Sequence, residues 1–203
     1  MLIVELSFWG KALSLVPAFE IGLWNAWILV IPILILSFLD MRVTAARESG
    51  KSGDFQLTRK ENIIMNAVFL PMIVSFVYAV FLPLQLGTIW LYSGLLIFLF
   101  GMVFTIVAVL NFASSPKDEV ITKGLYRFSR NPMYIGLLLL QIGLGIACSS
   151  WLYLLLTLVL MILLNAVLAS EERYCLYRYG DDYRKYMSRT PRWIGIPKSE
   201  IKD

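Results

Sequence analysis

The chain reads as an all-α, polytopic membrane protein with five transmembrane helices, a short interfacial N-terminal helix and a cytoplasmic C-terminal tail helix. Three observations predict this class. Of 203 residues, 59% are hydrophobic and only 16% charged, with a mean hydropathy of +0.73. Soluble proteins carry about 25% charged residues, and so few charges cannot coat a water-facing surface of this size. Uncharged stretches of 19, 55 and 40 residues follow one another at 21–39, 62–116 and 131–170. Finally, 17 of the 18 Lys and Arg residues fall on segments that five crossings put on one side, the asymmetry that marks cytoplasmic loops.

Each element follows in order. In residues 1–20, no base precedes the apolar run and Lys11 interrupts it, unlike a secretory signal. Leu2, Leu6, Trp9 and Leu13 recur there at helical spacing, as in a helix lying in the outer interface. The stretch 21–39 has the length of one span. Segment 40–61 carries Arg42, Arg47, Lys51, Arg59 and Lys60 and reads as a solvated cytoplasmic loop. The 55-residue stretch suits two spans, about 62–83 and 88–110, broken at Pro83 and Gly87. Stretch 131–170 would run about 60 Å as one helix, twice the hydrocarbon core. It therefore divides into spans of about 132–148 and 151–170, turning at Cys148, Ser149 and Ser150. The tail interleaves bases with Tyr174, Tyr177, Tyr179, Tyr183, Tyr186 and Trp193. Directly after a span this pattern predicts aromatics at headgroup depth and bases on anionic lipid, with no nucleic acid. The whole chain, 1–203, forms a single integral membrane domain with its N-terminus outside.

Composition also removes chemistry. There is no histidine, which excludes the Ser-His-Asp and Cys-His nucleophile arrangements and the HExxH zinc site. Two cysteines, Cys148 and Cys175, supply neither a disulfide scaffold nor a four-cysteine metal site, so no metal is expected. Gly50, Lys51 and Ser52 look like the end of a phosphate-binding loop, but position 45 is Ala where that loop needs Gly, and no strand precedes it.

The informative constellation sits at the two ends of the last hairpin. Arg130, Asn131, Pro132, Met133 and Tyr134 open the fourth span, with Pro132 suited to a helix's first turn. Ser170, Glu171, Glu172 and Arg173 close the fifth. An out-and-back hairpin returns both clusters to one depth, so two carboxylates, an arginine, an asparagine and a tyrosine converge at one boundary. Negative charge is disfavoured at the end of a helix by its macrodipole, so a cationic partner for the acids is expected there. Adjacent helical residues point about 100° apart. One acid can thus face a ligand while the other turns to Arg130 or the tail.

These residues, with Lys123, Gly124, Leu125 and Tyr126 before them and Tyr179, Gly180, Asp181, Asp182, Tyr183, Tyr186, Pro191 and Arg192 after, resemble the integral membrane methyltransferases. That superfamily contains isoprenylcysteine carboxyl methyltransferases and phospholipid N-methyltransferases, and the resemblance covers about 111–195. It implies S-adenosylmethionine as cofactor, contacted by Val120, Ile121, Tyr126, Asn131, Pro132, Met133, Tyr134, Glu171 and Glu172, with Asn111 a secondary candidate. It implies catalytic roles for Glu171, Glu172 and Arg130, and as partners membrane lipid and a lipophilic small-molecule or lipidated substrate from the bilayer. The prenyl-protein enzymes usually have His where Asn131 stands, and the phospholipid enzymes carry a Gly-x-Gly pattern where this chain has separated Gly94 and Gly101. A sulfonium and an amine would both favour carboxylates at a low-dielectric boundary. The rival enzyme class is the NADPH-dependent membrane sterol and steroid reductases, which share a similar Arg-x-Pro-x-Tyr segment but place an acid where Leu137 stands. A non-enzymatic scaffold is the third reading.

Overall fold

A computed structural model describes residues 21–48 and 55–197. The expected N-terminal interfacial helix and the Gly50–Ser52 motif lie outside the described residues. The rest is helical: α1 (Trp27–Glu48), α2 (Arg59–Val80), α3 (Ile89–Ala113), a 3₁₀ turn (Gly124–Arg127), α4 (Pro132–Ala147), α5 (Trp151–Tyr179) and α6 (Asp181–Arg189). Among the described residues no strand forms; the nearest approach to one is an isolated bridge between Asn25 and Pro83.

Four helices, α1, α2, α3 and α5, are long and apolar enough to cross a membrane. α4 is shorter at 16 residues, about 24 Å at 1.5 Å per residue. It nevertheless runs alongside its neighbours from end to end: Ala147 accepts from Gln85 N at one end (3.1 Å), and Arg130 N donates to Pro191 O at the other (3.0 Å). The bundle has an uncharged end, carrying the turns near 83–88 and 148–150, and a charged end.

Two helices outrun the expected boundaries. α1 continues nine residues past 39, to Glu48, so Arg47 is not in a solvated loop. It is 6% exposed and donates to Phe112 O (3.0 Å), Ser115 O (2.5 Å) and Pro116 O (2.8 Å). Its guanidinium also stacks 4.7 Å from the Phe112 ring centroid. These partners replace the water that would otherwise solvate the charge. α5 likewise runs to Tyr179 rather than stopping at 170. Glu171 and Glu172 therefore lie two turns inside the helix, beyond the reach of its terminal dipole, and the dipole argument for a cationic partner falls away.

α2 opens on a capping box in which Thr58 Oγ1 accepts from Glu61 N and Glu61 accepts from Thr58 N, satisfying end groups that have no helical partner. Glu61 also receives Arg173 of α5 (2.9 and 2.5 Å), joining the two helices at the charged end. α3 and α4 form the closest helix pair. A Cβ at Gly94 would collide with the backbone N of Ala147, and one at Gly136 with Thr105 Oγ1; small residues at such contacts let membrane helices approach backbone to backbone. This packing, with Gly101 against Leu139 and Leu140, explains the separated glycines of α3. The core proper fills the uncharged half with Ile33, Leu82, Leu140, Leu144 and Tyr153. A second cluster, Leu138, Leu160 and Leu164, continues beneath Tyr134 and Trp193.

Candidate functional site

The site is assembled at the charged end from α3's exit, the 3₁₀ turn, the α4 start, α5 and the tail. Gly124 opens the 3₁₀ turn at φ +60°, with the Asn111 side chain where a Cβ would stand; both the left-handed backbone and the close approach require glycine. The turn buries Tyr126, whose ring centroid is 6.3 Å from that of Phe112. Tyr186 of α6 fastens it by donating to Tyr126 O at 2.7 Å. Burial pushes the Tyr126 phenol well above its ordinary value of 10, and the negative field of Asp40 adds to it, followed by those of Tyr186 and Glu171. Burial likewise raises the phenols of Tyr183 and Tyr186. Tyr183 and Tyr186 are thus buried tertiary contacts, packed against protein.

The two acids diverge. Glu171 is half-buried and accepts the Tyr134 hydroxyl. Glu172 is 4% exposed and receives a bidentate fork from Arg192, Nε at 3.0 Å and Nη2 at 2.5 Å. Arg130 Nη1 stands 3.0 Å from the same carboxylate, close enough to pair but out of hydrogen-bond alignment, so Arg130 Nε and Nη1 are buried with no hydrogen-bond acceptor in the protein. One carboxylate between two guanidiniums leaves this side with a net positive charge.

The tail closes over the loop before α4. Gly180, at φ +54°, reverses the chain out of α5, and α6 leads to a short strap. There Asn131 Nδ2 and Ser129 Oγ both donate to Arg192 O (3.0 and 3.3 Å), and Gly195 N donates to Phe128 O (3.0 Å). Trp193 Nε1 reaches Asn165 of α5 (3.2 Å), nearly two turns deeper than Glu172.

Of the residues singled out from sequence, the fold joins Tyr134 to Glu171 and Arg130 to Glu172, and sets Tyr126 within the field of Glu171. Asn131 is nearby, but its amide is spent on the tail carbonyl. Pro132 is buried at the first turn of α4 and Met133 is half-buried beside it. Val120 and Ile121 are half-buried on the connection between α3 and the 3₁₀ turn. Sequence reasoning gave no role to Asp40 or Arg47 and did not pair Arg192 with Glu172. The signal for the first two was present: Ile33, Asp40 and Arg47 recur at seven-residue spacing, two helical turns apart on one face. Cys148 and Cys175 are both free. Among the described residues no group of three or more Cys, Asp or Glu could hold a metal ion.

The residues present suit S-adenosylmethionine. Glu171 offers negative charge, Tyr126 and Tyr134 offer aromatic faces, and two buried donors without partners, Arg130 Nε and Asn111 Nδ2, are left for a ligand. Native structures rarely leave such groups unsatisfied.

Residues 89–182 match the family model described as phospholipid methyltransferase. The chain is also 31% identical over 83 residues to a protein-S-isoprenylcysteine O-methyltransferase of Schizosaccharomyces pombe, across 40% of this chain and 34% of that relative. The chain thus spans about a third of the length of the curated relative that it matches. No solved structure matches it. Residues 89–182, which include Tyr126, Arg130, Tyr134 and both acids, are thus similar to the phospholipid methyltransferase family.

Proposed function

We propose that the protein transfers a methyl group from S-adenosylmethionine to a lipophilic acceptor at the cytoplasmic membrane boundary, the acceptor being an isoprenylcysteine-type carboxylate or a phospholipid amine. The observation that carries this reading is the divergence of Glu171 and Glu172: one acid accepts the Tyr134 hydroxyl, the other is locked between two guanidiniums. The site is thereby split into an anionic and a cationic half.

The cofactor supplies an electrophilic methyl on a sulfonium. Glu171, held by Tyr134, and the buried Tyr126 ring would face its cationic portion, with Asn111 Nδ2 offered to an acceptor atom on it. Val120, Ile121, Asn131, Pro132 and Met133 form the surrounding wall. Arg130, fixed through Nη1 by Glu172, keeps Nε for an anionic group of the acceptor, a carboxylate or a phosphodiester. Glu172 and Arg192 act by fixing Arg130. Such a site works chiefly by holding two reactants in line and excluding water.

Five crossings with the charged end cytoplasmic complete the proposal. The placement of 17 of 18 bases supports it, as does the end-to-end run of α4 beside its longer neighbours. A water-soluble donor then arrives from the cytosol and the acceptor laterally from the bilayer.

The test is ligand-induced stabilisation of the detergent-solubilised protein. S-adenosylhomocysteine should raise the thermal midpoint, because a ligand that binds only the folded state stabilises it by mass action, and NADPH should not. The reverse result would move the protein to the reductases.

A further inference from the structure

α1 lies outside the segment that matches the methyltransferase family, yet it delivers a carboxylate to the same end of the bundle. Its inward stripe can be followed residue by residue. Ala26 and Ile33 are fully buried and Arg47 is 6% exposed; Asp40 falls between them in the same seven-residue register, a rotation of only about 20° per step. Arg47 is pinned to the exit of α3 by three carbonyls and by the Phe112 ring, and Phe112 packs on Tyr126. Asp40 is thus set about 10 Å deeper than Arg47 on the same face, toward the two phenols. Asp40 is half-buried there.

A second observation points to a ligand at this place. Asn111 Nδ2 is buried without a partner, and its side chain packs on Gly124, two residues from Tyr126. A membrane protein that places an acid on the inward face of a spanning helix commonly does so for function. A second carboxylate on this inward face, at the same end of the bundle as Glu171 and the Tyr126 and Tyr134 rings, would complete a seat for a cation, since acids supply charge and ring faces supply a negative quadrupole.

We infer that Asp40 is a ligand-binding residue that shares with Glu171 the seat of a cationic centre, either the sulfonium of the methyl donor or the ammonium of an amine acceptor. This rests on the proposed methyl transfer. The seat is asymmetric in origin: Glu171 comes from the family segment, whereas Asp40 belongs to the N-terminal part of this chain.

The experiment is equilibrium binding to the purified, detergent-solubilised protein, comparing wild type with Asp40→Asn and Asp40→Glu. S-adenosylmethionine and S-adenosylhomocysteine differ by the methyl group and the sulfonium charge, so their comparison isolates that charge. If Asp40 faces the donor, Asp40→Asn weakens S-adenosylmethionine at least fivefold, leaves S-adenosylhomocysteine within twofold, and Asp40→Glu recovers most of the loss. If Asp40 faces the acceptor, donor and product binding are unchanged, and binding of phosphatidylethanolamine micelles weakens at least fivefold in Asp40→Asn. Asp40→Asn within twofold of wild type for all three ligands overturns the inference while leaving the methyltransferase reading intact. Failure of wild type to bind S-adenosylmethionine at all overturns both. Should Asp40→Asn not fold, carbodiimide labelling of Asp40 in the wild-type protein replaces it: protection by S-adenosylmethionine or by the phosphatidylethanolamine micelles supports the seat, and labelling unchanged by either overturns it.

Discussion

Replacing Glu172 and Glu171 by Gln, one at a time, should separate stability from binding. Glu172 is buried and neutralises Arg130, itself 10% exposed, together with Arg192 at 32%. Removing one member of a buried pair costs about 3–5 kcal/mol, because the remaining charge is left uncompensated. The Arg192 share is screened by solvent and counts for less, so about 3 kcal/mol is expected. At roughly 2–4 °C per kcal/mol for a chain of this size, Glu172→Gln should lower the thermal midpoint by roughly 6–12 °C. Glu171 is only half-buried and accepts the neutral Tyr134 hydroxyl, which an amide oxygen can still do. Glu171→Gln should therefore lower the midpoint by less than about 4 °C, the equivalent of about 1 kcal/mol. It should weaken S-adenosylmethionine at least tenfold, about 1.4 kcal/mol. Differential scanning fluorimetry and equilibrium binding on the same preparations read both quantities. Equal midpoint losses in the two variants, or normal donor binding by Glu171→Gln, would refute the division of roles.

Three further outcomes follow from the same geometry. Arg47→Met removes the donors of three carbonyls at the exit of α3; with about 1.5–3 kcal/mol for a bond to a charged group and incomplete additivity, the loss should be about 3 kcal/mol, seen as a drop in thermal midpoint, and an unchanged midpoint would contradict the buried staple. The phenols of Tyr126, Tyr183 and Tyr186 are raised by burial above the ordinary 10, so the folded state holds protons that the unfolded state releases there. Their contribution is complete below about pH 10 and lost as pH rises beyond it, so the midpoint should hold up to about pH 10 and fall above it, while absorbance at 295 nm shows these tyrosines un-ionised until unfolding. Single-cysteine labelling should find positions 120 and 190 on the cytoplasmic side and positions 85 and 149 outside, and 120 and 149 on one side would remove α4 from the crossings.

The spans were legible because lipid imposes a simple rule: long uncharged segments must be helical, and turns between them show as Pro83, Gly87 or Ser149 and Ser150. Helix ends were not. In the sequence, charge suggests the end of a helix, but Arg47 and Arg173 are carried onward because tertiary partners, the carbonyls after α3 and the Glu61 carboxylate, accept them. The hairpin geometry foretold that Arg130 and the acids would meet, since both lie at the open end of an out-and-back pair. That Arg192 would supply the second guanidinium depends on the chain reversal at Gly180 and on a strap 20 residues from Glu172, which no local pattern encodes. The contacts of the tail's tyrosines are hidden for a related reason: aromatics spaced among bases look interfacial, and no local pattern shows that Tyr183 and Tyr186 are spent on the 3₁₀ turn and its surroundings.

Ultraviolet crosslinking of methyl-labelled S-adenosylmethionine to the solubilised protein, followed by peptide mapping, tests the central claim most directly, because it reads ligand and location together. The account predicts label on peptides containing Tyr126 or Tyr134, displaced by S-adenosylhomocysteine and not by NADPH. Absence of specific label, or label confined to Tyr78 and Tyr153 at the uncharged end, would contradict it.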